Sequence, residues 1–219
     1  MVTTLTDLQA YGDELAARID AGFKSHPELP DHRKEHPWLT GWLGDSRAKV
    51  WFVSEAASAW RVNRADPNGD GLFTVESQWA VSPGDKVFRE ALAKAGFKDR
   101  PADGPGGWHC YMTVLAKSHI QYADRDHEQR QQLFKLWAPV LAWELAQGRP
   151  PVIAAMGSAT AKALRMLTEL GLIKIPGKVV EIWNYGYLMR PGPKQTPPMD
   201  PARIAAYEEQ VAGVARLGF

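Results

Sequence analysis

One cysteine, Cys110, is all that 219 residues carry. It excludes an internal disulfide framework, a four-cysteine zinc site and a cysteine-ligated iron–sulfur cluster, and it suits a reducing compartment. No apolar run reaches the roughly 18 residues that a membrane-spanning helix needs. Met1 to Tyr11 lacks a basic-then-apolar leader pattern, so the expectation is a cytoplasmic protein without a membrane partner. No internal repeat is visible. Charge of one sign is also lacking: the net charge is +1, and it names no partner. What is present is ordinary for a soluble fold, with 45% hydrophobic and 23% charged residues, which rules out a mostly disordered chain. A chain this long suits a single domain that buries roughly 70–75% of its unfolded surface. Two local biases stand out. Leu145 to Lys194 holds seven Lys/Arg (Arg149, Lys162, Arg165, Lys174, Lys178, Arg190, Lys194) against Glu169 and Glu181, and the whole chain has nine tryptophans.

Leu5, Leu8, Leu15, Ile19 and Phe23 recur at helical spacing, so the chain opens on an amphipathic helix. The Pro-, His- and charge-rich segment from His26 to Trp38 reads as loop, and residues 1–48 form this helix and loop. Lys49–Ser54 reads as a short buried strand, and Asp66–Gly71 (DPNGDG) as loop. Ser82-Pro83 starts a helix with Val87, Phe88, Ala91, Leu92 and Ala95 on one face, stopped by Gly96. Cys110–Leu115 reads as a second strand. A long helix capped by Asp126 follows, and Pro139 is expected to kink it. Pro151–Met156 is a third strand, apolar enough to be covered on both faces. A helix carrying Ala161, Leu164, Leu167 and Leu170 follows, then a fourth strand at Lys178–Trp183. Residues 191–219 form a Pro-rich link and a last helix with Ile204, Tyr207, Val211 and Val214. Strands alternating with helices predict a parallel sheet in an α/β sandwich, with a core over residues 49–190. In such sheets the site lies at the carboxyl ends of the strands.

Each strand end offers a candidate. Ser54-Glu55-Ala56-Ala57-Ser58 places a carboxylate beside small residues, where it can act as a general base or merely cap a helix. Met156-Gly157-Ser158 is a strand-to-helix turn whose amides can face an anion. DPNGDG nearly matches a calcium loop, with Asp66, Asn68 and Asp70 at alternate positions. The closing bidentate glutamate should fall at Ser77, Glu76 is one residue early, and no flanking helices are predicted, so a polar turn is the plainer reading. His32 and His36, or His109, Cys110 and His119, form a metal site only if the fold gathers them; otherwise they are loop and strand residues. Trp51, Trp137 and Trp143 suit a core, whereas Trp60, Trp79 and Trp183 fall in or near strand ends and loops, where an indole can stack on a base.

In order along the chain, these motifs resemble the uracil-DNA glycosylase superfamily, closest to its bacterial branch that usually carries an iron–sulfur cluster. The family's G-E-A-P-G is matched by Ser54-Glu55-Ala56-Ala57-Ser58. Trp79 stands five residues before Gly84, as the family's phenylalanine does in P-F-V-G-x-x-G. T-N-x-x-K is matched by Thr113-Val114-Leu115-Ala116-Lys117, and L-G-x-x-A-x-x-A-L by Met156 to Leu164. H-P-S-Y-L-L-R is matched by Asn184-Tyr185-Gly186-Tyr187-Leu188-Met189-Arg190. The resemblance implies a three-layer α/β/α sandwich around a central four-stranded parallel sheet. It implies a monomer that binds single- or double-stranded DNA and works in the cytoplasm, at the nucleoid of a prokaryote or in a phage-infected cell.

The resemblance also implies a mechanism. A target nucleotide is flipped out of the stack, with Tyr187, Leu188 and Met189 wedged into the gap. Lys117, Arg190 and the amides near Gly157 and Ser158 hold phosphates. Trp79, Ala56 and Val114 contact the base. Glu55 orients the attacking water, and Asn184 steadies charge on the departing base. The departures shape the expectation. Val114 replaces the asparagine that reads uracil's edge, so the base is not strictly uracil, and a 5-substituted pyrimidine suits an apolar contact. Asn184 replaces the histidine, Tyr185 and Gly186 replace proline and serine, and the cluster cysteines are missing, so no cofactor and no metal are carried over. Two alternatives remain: a nucleic-acid-binding relative that has lost catalysis, and an enzyme acting on free nucleotides or nucleosides through the same cleft.

Overall fold

The computed structural model describes residues 8–31, 33, 42–56, 83–102, 106–118, 127–191 and 197–218. Among them are five α-helices and a five-stranded sheet. Helix α1 (Leu8–Ser25) leads to strand β1 (Trp42–Gly44) and strand β2 (Val50–Ala56). Helix α2 (Pro83–Lys94), strand β3 (Tyr111–Ala116) and helix α3 (His127–Gly148) follow. Strand β4 (Val152–Met156), helix α4 (Ser158–Glu169) and strand β5 (Lys178–Ile182) complete the alternation. A 3-10 turn (Tyr185–Met189) and helix α5 (Pro201–Gly218) end the described chain.

The sheet order is β1-β3-β2-β4-β5. Strands β3, β2, β4 and β5 run parallel, as the alternation of strand and helix requires. The expected count of four strands is corrected by β1, which pairs antiparallel with β3 through Trp42↔Thr113 and Gly44↔Tyr111 and makes the sheet mixed. Three residues are too few to show a period, which is why Trp42–Gly44 was legible only as loop.

Alternation along the central strands distributes the core to both sides of the sheet. Trp51, Val53, Tyr111, Leu115, Ile153 and Ala155 pack with α1, α3 and α4. Val50, Phe52, Met112, Ala154 and Met156 pack with α2 and α5. Strand β4 is buried at every residue, whereas β5 is exposed except at Val180 and Ile182, as befits an edge. In α1 the buried stripe is Tyr11, Leu15, Ile19 and Phe23. Leu8, expected on that stripe, is exposed, and Leu5 lies outside the described residues. Gly22 lets α1 lie on α3, because a Cβ there would stand 2.5 Å from the Trp137 ring. Helix α3 runs unbroken through Pro139.

The chain leaves β2 for β3 on one side and later comes back to β4 on the other. The order therefore switches between β2 and β4, and the crevice outside their carboxyl ends is where ligands bind in sheets of this kind.

Buried hydroxyls set the response of the fold to alkali. Burial raises the Tyr11, Tyr111 and Tyr207 hydroxyls above the usual tyrosine range, Glu144 adding to it at the first two. Burial likewise raises the Cys110 thiol. The folded state therefore holds these protons when the unfolded chain has released them, and stability falls as pH rises past the ordinary thiol and tyrosine values. Lys117 acts the other way, since burial outweighs Glu144 and lowers it, but it is one group against four. Urea midpoints should be steady up to about pH 8 and fall steeply above about pH 10. Tyr207 has no hydrogen-bond partner for its hydroxyl among the described residues, so Tyr207→Phe should keep the neutral-pH midpoint and flatten the alkaline fall. An alkaline fall as steep as wild type would show that the Tyr207 hydroxyl contributes nothing.

Candidate functional site

The ends of β2 and β4 flank the switch point, and the end of β5 lies beside that of β4. Glu55, next to last in β2, is one-third exposed, and its Oε2 lies 3.4 Å from Arg130 Nη1 on α3. Ser54 is paired in register with Val114, the one half-buried residue of β3. Glu55 follows Trp51 and Val53 onto the face covered by α1, α3 and α4.

At the end of β4, Gly157 has φ 96° and ψ 153°. Its N–H donates to Ile182 O at 2.7 Å, so this amide is spent within the sheet and does not serve an anion as expected. Among the described residues no side chain caps the first turn of α4, and Ser158 there is exposed. The Gly157 Cα faces Asn184: a Cβ would meet the Asn184 Cβ at 3.6 Å. Space is therefore adequate, but the backbone conformation is essentially confined to glycine. Gly157→Ala should cost about 1–3 kcal/mol in urea unfolding. A loss no larger than that of an exposed helix alanine would mean that the turn relaxes freely.

Beyond β5, Asn184 caps the 3-10 turn, its Oδ1 accepting from Gly186 N at 2.8 Å. The oxygen is thus committed, and the Nδ2 amide is the end able to donate to a ligand. Tyr185 stacks on Phe88 of α2 with centroids 5.3 Å apart and planes at 12°. Tyr187 meets Trp183 edge-on at 5.3 Å. Arg203 of α5 fastens the turn from behind: Nη1 donates to Arg190 O at 2.8 Å, Nη2 donates to Tyr187 O, and its guanidinium lies 4.3 Å from the Tyr187 ring centre.

Two expected DNA contacts are corrected. Leu188 is fully buried in the core with α2 and α5, its carbonyl accepting from Met199 N at 2.8 Å, so it is a root of the turn and not a wedge. Half-buried Tyr187 and exposed Met189 and Arg190 are the residues the turn presents. Lys117 is the second. Its side chain is fully buried, with Nζ 2.7 Å from Glu144 Oε2 and 2.6 Å from Thr113 Oγ1, so it cannot reach a phosphate. Glu144 Oε1 also accepts from Thr113 and Tyr111, each at 2.8 Å, and Tyr11 donates to Tyr111 at 3.1 Å.

Arg130, Glu144 and Arg203 were not singled out from the sequence. Arg203 and Glu144 had a legible signal: Arg203 shares a helical stripe with Tyr207, Val211 and Val214, and Glu144 lies between Leu141 and Leu145 on the buried side of α3. A charge on an apolar stripe needs a partner. Arg130 had none.

Trp79, Ala57, Ser58, Trp60, the 66–77 segment with its calcium-like spacing, His32, His36 and His119 lie outside the described residues. Among the described residues no group of three or more His, Cys, Asp or Glu is placed to hold a metal ion, and no helix is long and apolar enough to cross a membrane. His109 pairs with Asp99 at 2.9 Å. The chain matches no family model, and no curated protein is significantly similar to it.

Proposed function

We propose that this chain is a DNA glycosylase that hydrolyses the N-glycosidic bond of a damaged or modified base, not strictly uracil. One observation carries the reading: Glu55, the Gly157 turn and Asn184 with its 3-10 turn stand at or just beyond the carboxyl ends of the neighbouring parallel strands β2, β4 and β5. The motif resemblance expects its motifs at strand ends, and these positions support the reading. A flipped nucleotide would enter from the carboxyl edge. Glu55 would orient a water toward the anomeric carbon. The glycosidic carbon–nitrogen bond breaks with its electron pair leaving on the base, a bond to the water oxygen forms, and the surplus proton passes to the carboxylate. Asn184 Nδ2 would donate one hydrogen bond to the departing base, a weaker donor than a histidine cation. Val114, beside Ser54, would offer the base an apolar contact. Tyr187 and Met189 would fill the vacated stack, with Arg190 on a phosphate.

The test is alkali-revealed scission of end-labelled oligonucleotides carrying uracil, hydroxymethyluracil, hypoxanthine or xanthine, single-stranded and opposite each base. Scission at one base, lost in the Glu55→Gln variant, supports the reading and names the substrate. A second reading, a relative that binds nucleic acid without cutting it, is favoured by Asn184 in the place of the resembled family's histidine and by Val114 at the base-reading position. Salt-sensitive DNA binding with no scission at any base would decide for it.

A further inference from the structure

The basic segment of the sequence becomes a surface feature in the fold. On α4, Ser158, Lys162 and Arg165 recur at helical spacing and are exposed, opposite the buried face of Thr160, Ala163, Leu164 and Leu167. Lys174 follows in the connection to β5, and Lys178 is the exposed first residue of that strand. None of the four cations makes an ion pair among the described residues. Among the described residues, some exposed cations elsewhere are paired, Arg18 with Glu14, Arg47 with Asp45, Lys94 with Glu208, Arg100 with Glu90 and Arg216 with Glu209, while Lys24, Lys49, Lys86 and Arg149 make no ion pair but stand apart from one another and form no row. Even Arg165 leaves Glu169, one turn further on, unpaired.

The row starts at the mouth of the candidate site. Ser158 follows Gly157, whose Cα faces Asn184, and α4 runs antiparallel to the strands, away from their carboxyl ends. Lys162 stands one turn from Ser158 and Arg165 about two, some 10 Å along the axis. Steps of about 5–6 Å between such side chains are close to the spacing of successive phosphates, and uncompensated cations in a row attract a polyanion. We propose that the outer face of α4, continued by Lys174 and Lys178 along the β5 edge, is a track for the phosphodiester backbone of nucleic acid leaving the site. This rests on the reading above that the ligand is nucleic acid.

The experiment is the salt dependence of binding to a fluorescent 24-nucleotide DNA, single-stranded and duplex. It compares wild type, K162Q/R165Q/K174Q/K178Q and a control, K24Q/R216Q, that removes charge elsewhere. Each lost phosphate contact reduces the slope of log K against log salt by about 0.7 for single strands and 0.9 for duplex, so the fourfold variant should lose about 2.8 on single strands and about 3.6 on duplex. The control should keep the wild-type slope. Circular dichroism and urea midpoints confirm that both variants are folded, which surface Lys/Arg→Gln changes should allow. A fourfold-variant slope within about 0.5 of wild type overturns the track while leaving the glycosylase reading standing. An equal loss per charge in the control overturns it too, since the effect is then net charge. Wild type that binds phosphatidylserine vesicles but not DNA overturns the track and the nucleic-acid reading together.

Discussion

Replacing Glu55 by glutamine should lower base release at least tenfold while leaving DNA binding unchanged. The carboxylate stands near the end of β2, one-third exposed, with Arg130 as its neighbour at 3.4 Å. Glutamine keeps the shape and removes the capacity to take a proton from water, and general-base assistance is commonly worth about 10²–10⁴-fold. Single-turnover scission at saturating enzyme isolates that step from binding. Equal rates in wild type and variant would discard the role of Glu55, and a parallel loss of DNA affinity would reassign it to holding Arg130 in place.

The second large effect belongs to Lys117, and it is an effect on stability. Lys117→Met leaves the Glu144 carboxyl without its cation in an interior where both side chains are wholly buried. Breaking a buried pair on one side costs about 3–5 kcal/mol. For a chain of this size that lowers the melting temperature by roughly 10 °C. Lys117→Met combined with Glu144→Gln should recover much of the loss, because the uncompensated charge goes with it. A single variant that melts with wild type and has lost DNA affinity would restore the phosphate contact expected from the sequence, and would contradict the buried pairing.

What could be read from the sequence was set by the range of the interactions involved. The strand expected at Lys49–Ser54 stands at Val50–Ala56, and the one expected at Cys110–Leu115 stands at Tyr111–Ala116. Apolar runs bounded by turn residues are local signals. The helix starts at Pro83 and Ser158 are local for the same reason. The antiparallel strand Trp42–Gly44 owes its conformation to pairing with β3, nearly seventy residues away, so nothing near it in sequence announces it. The same limit governs side-chain roles. Lys117 and Leu188 follow strand ends and look presentable to a ligand, but Glu144 and the α2–α5 core claim them. Placing Glu55 and Asn184 along the chain needed only the strand ends: β2 ends one residue after Glu55, and β5 ends two residues before Asn184.

The fastening of the 3-10 turn separates two things that loops usually confound. Arg203 holds the turn through the carbonyls of Tyr187 and Arg190, Met199 N–H holds Leu188 O, and Asn184 holds the Gly186 amide. All of these grips are on the main chain, which every amino acid but proline supplies alike. The backbone path therefore owes little to the side chain at position 189, whereas the Tyr187 ring is itself gripped by Arg203 and Trp183. Position 189 is an interchangeable head on a fixed handle, the natural place for drift or engineering to change what the protein recognises without rebuilding the scaffold beneath it.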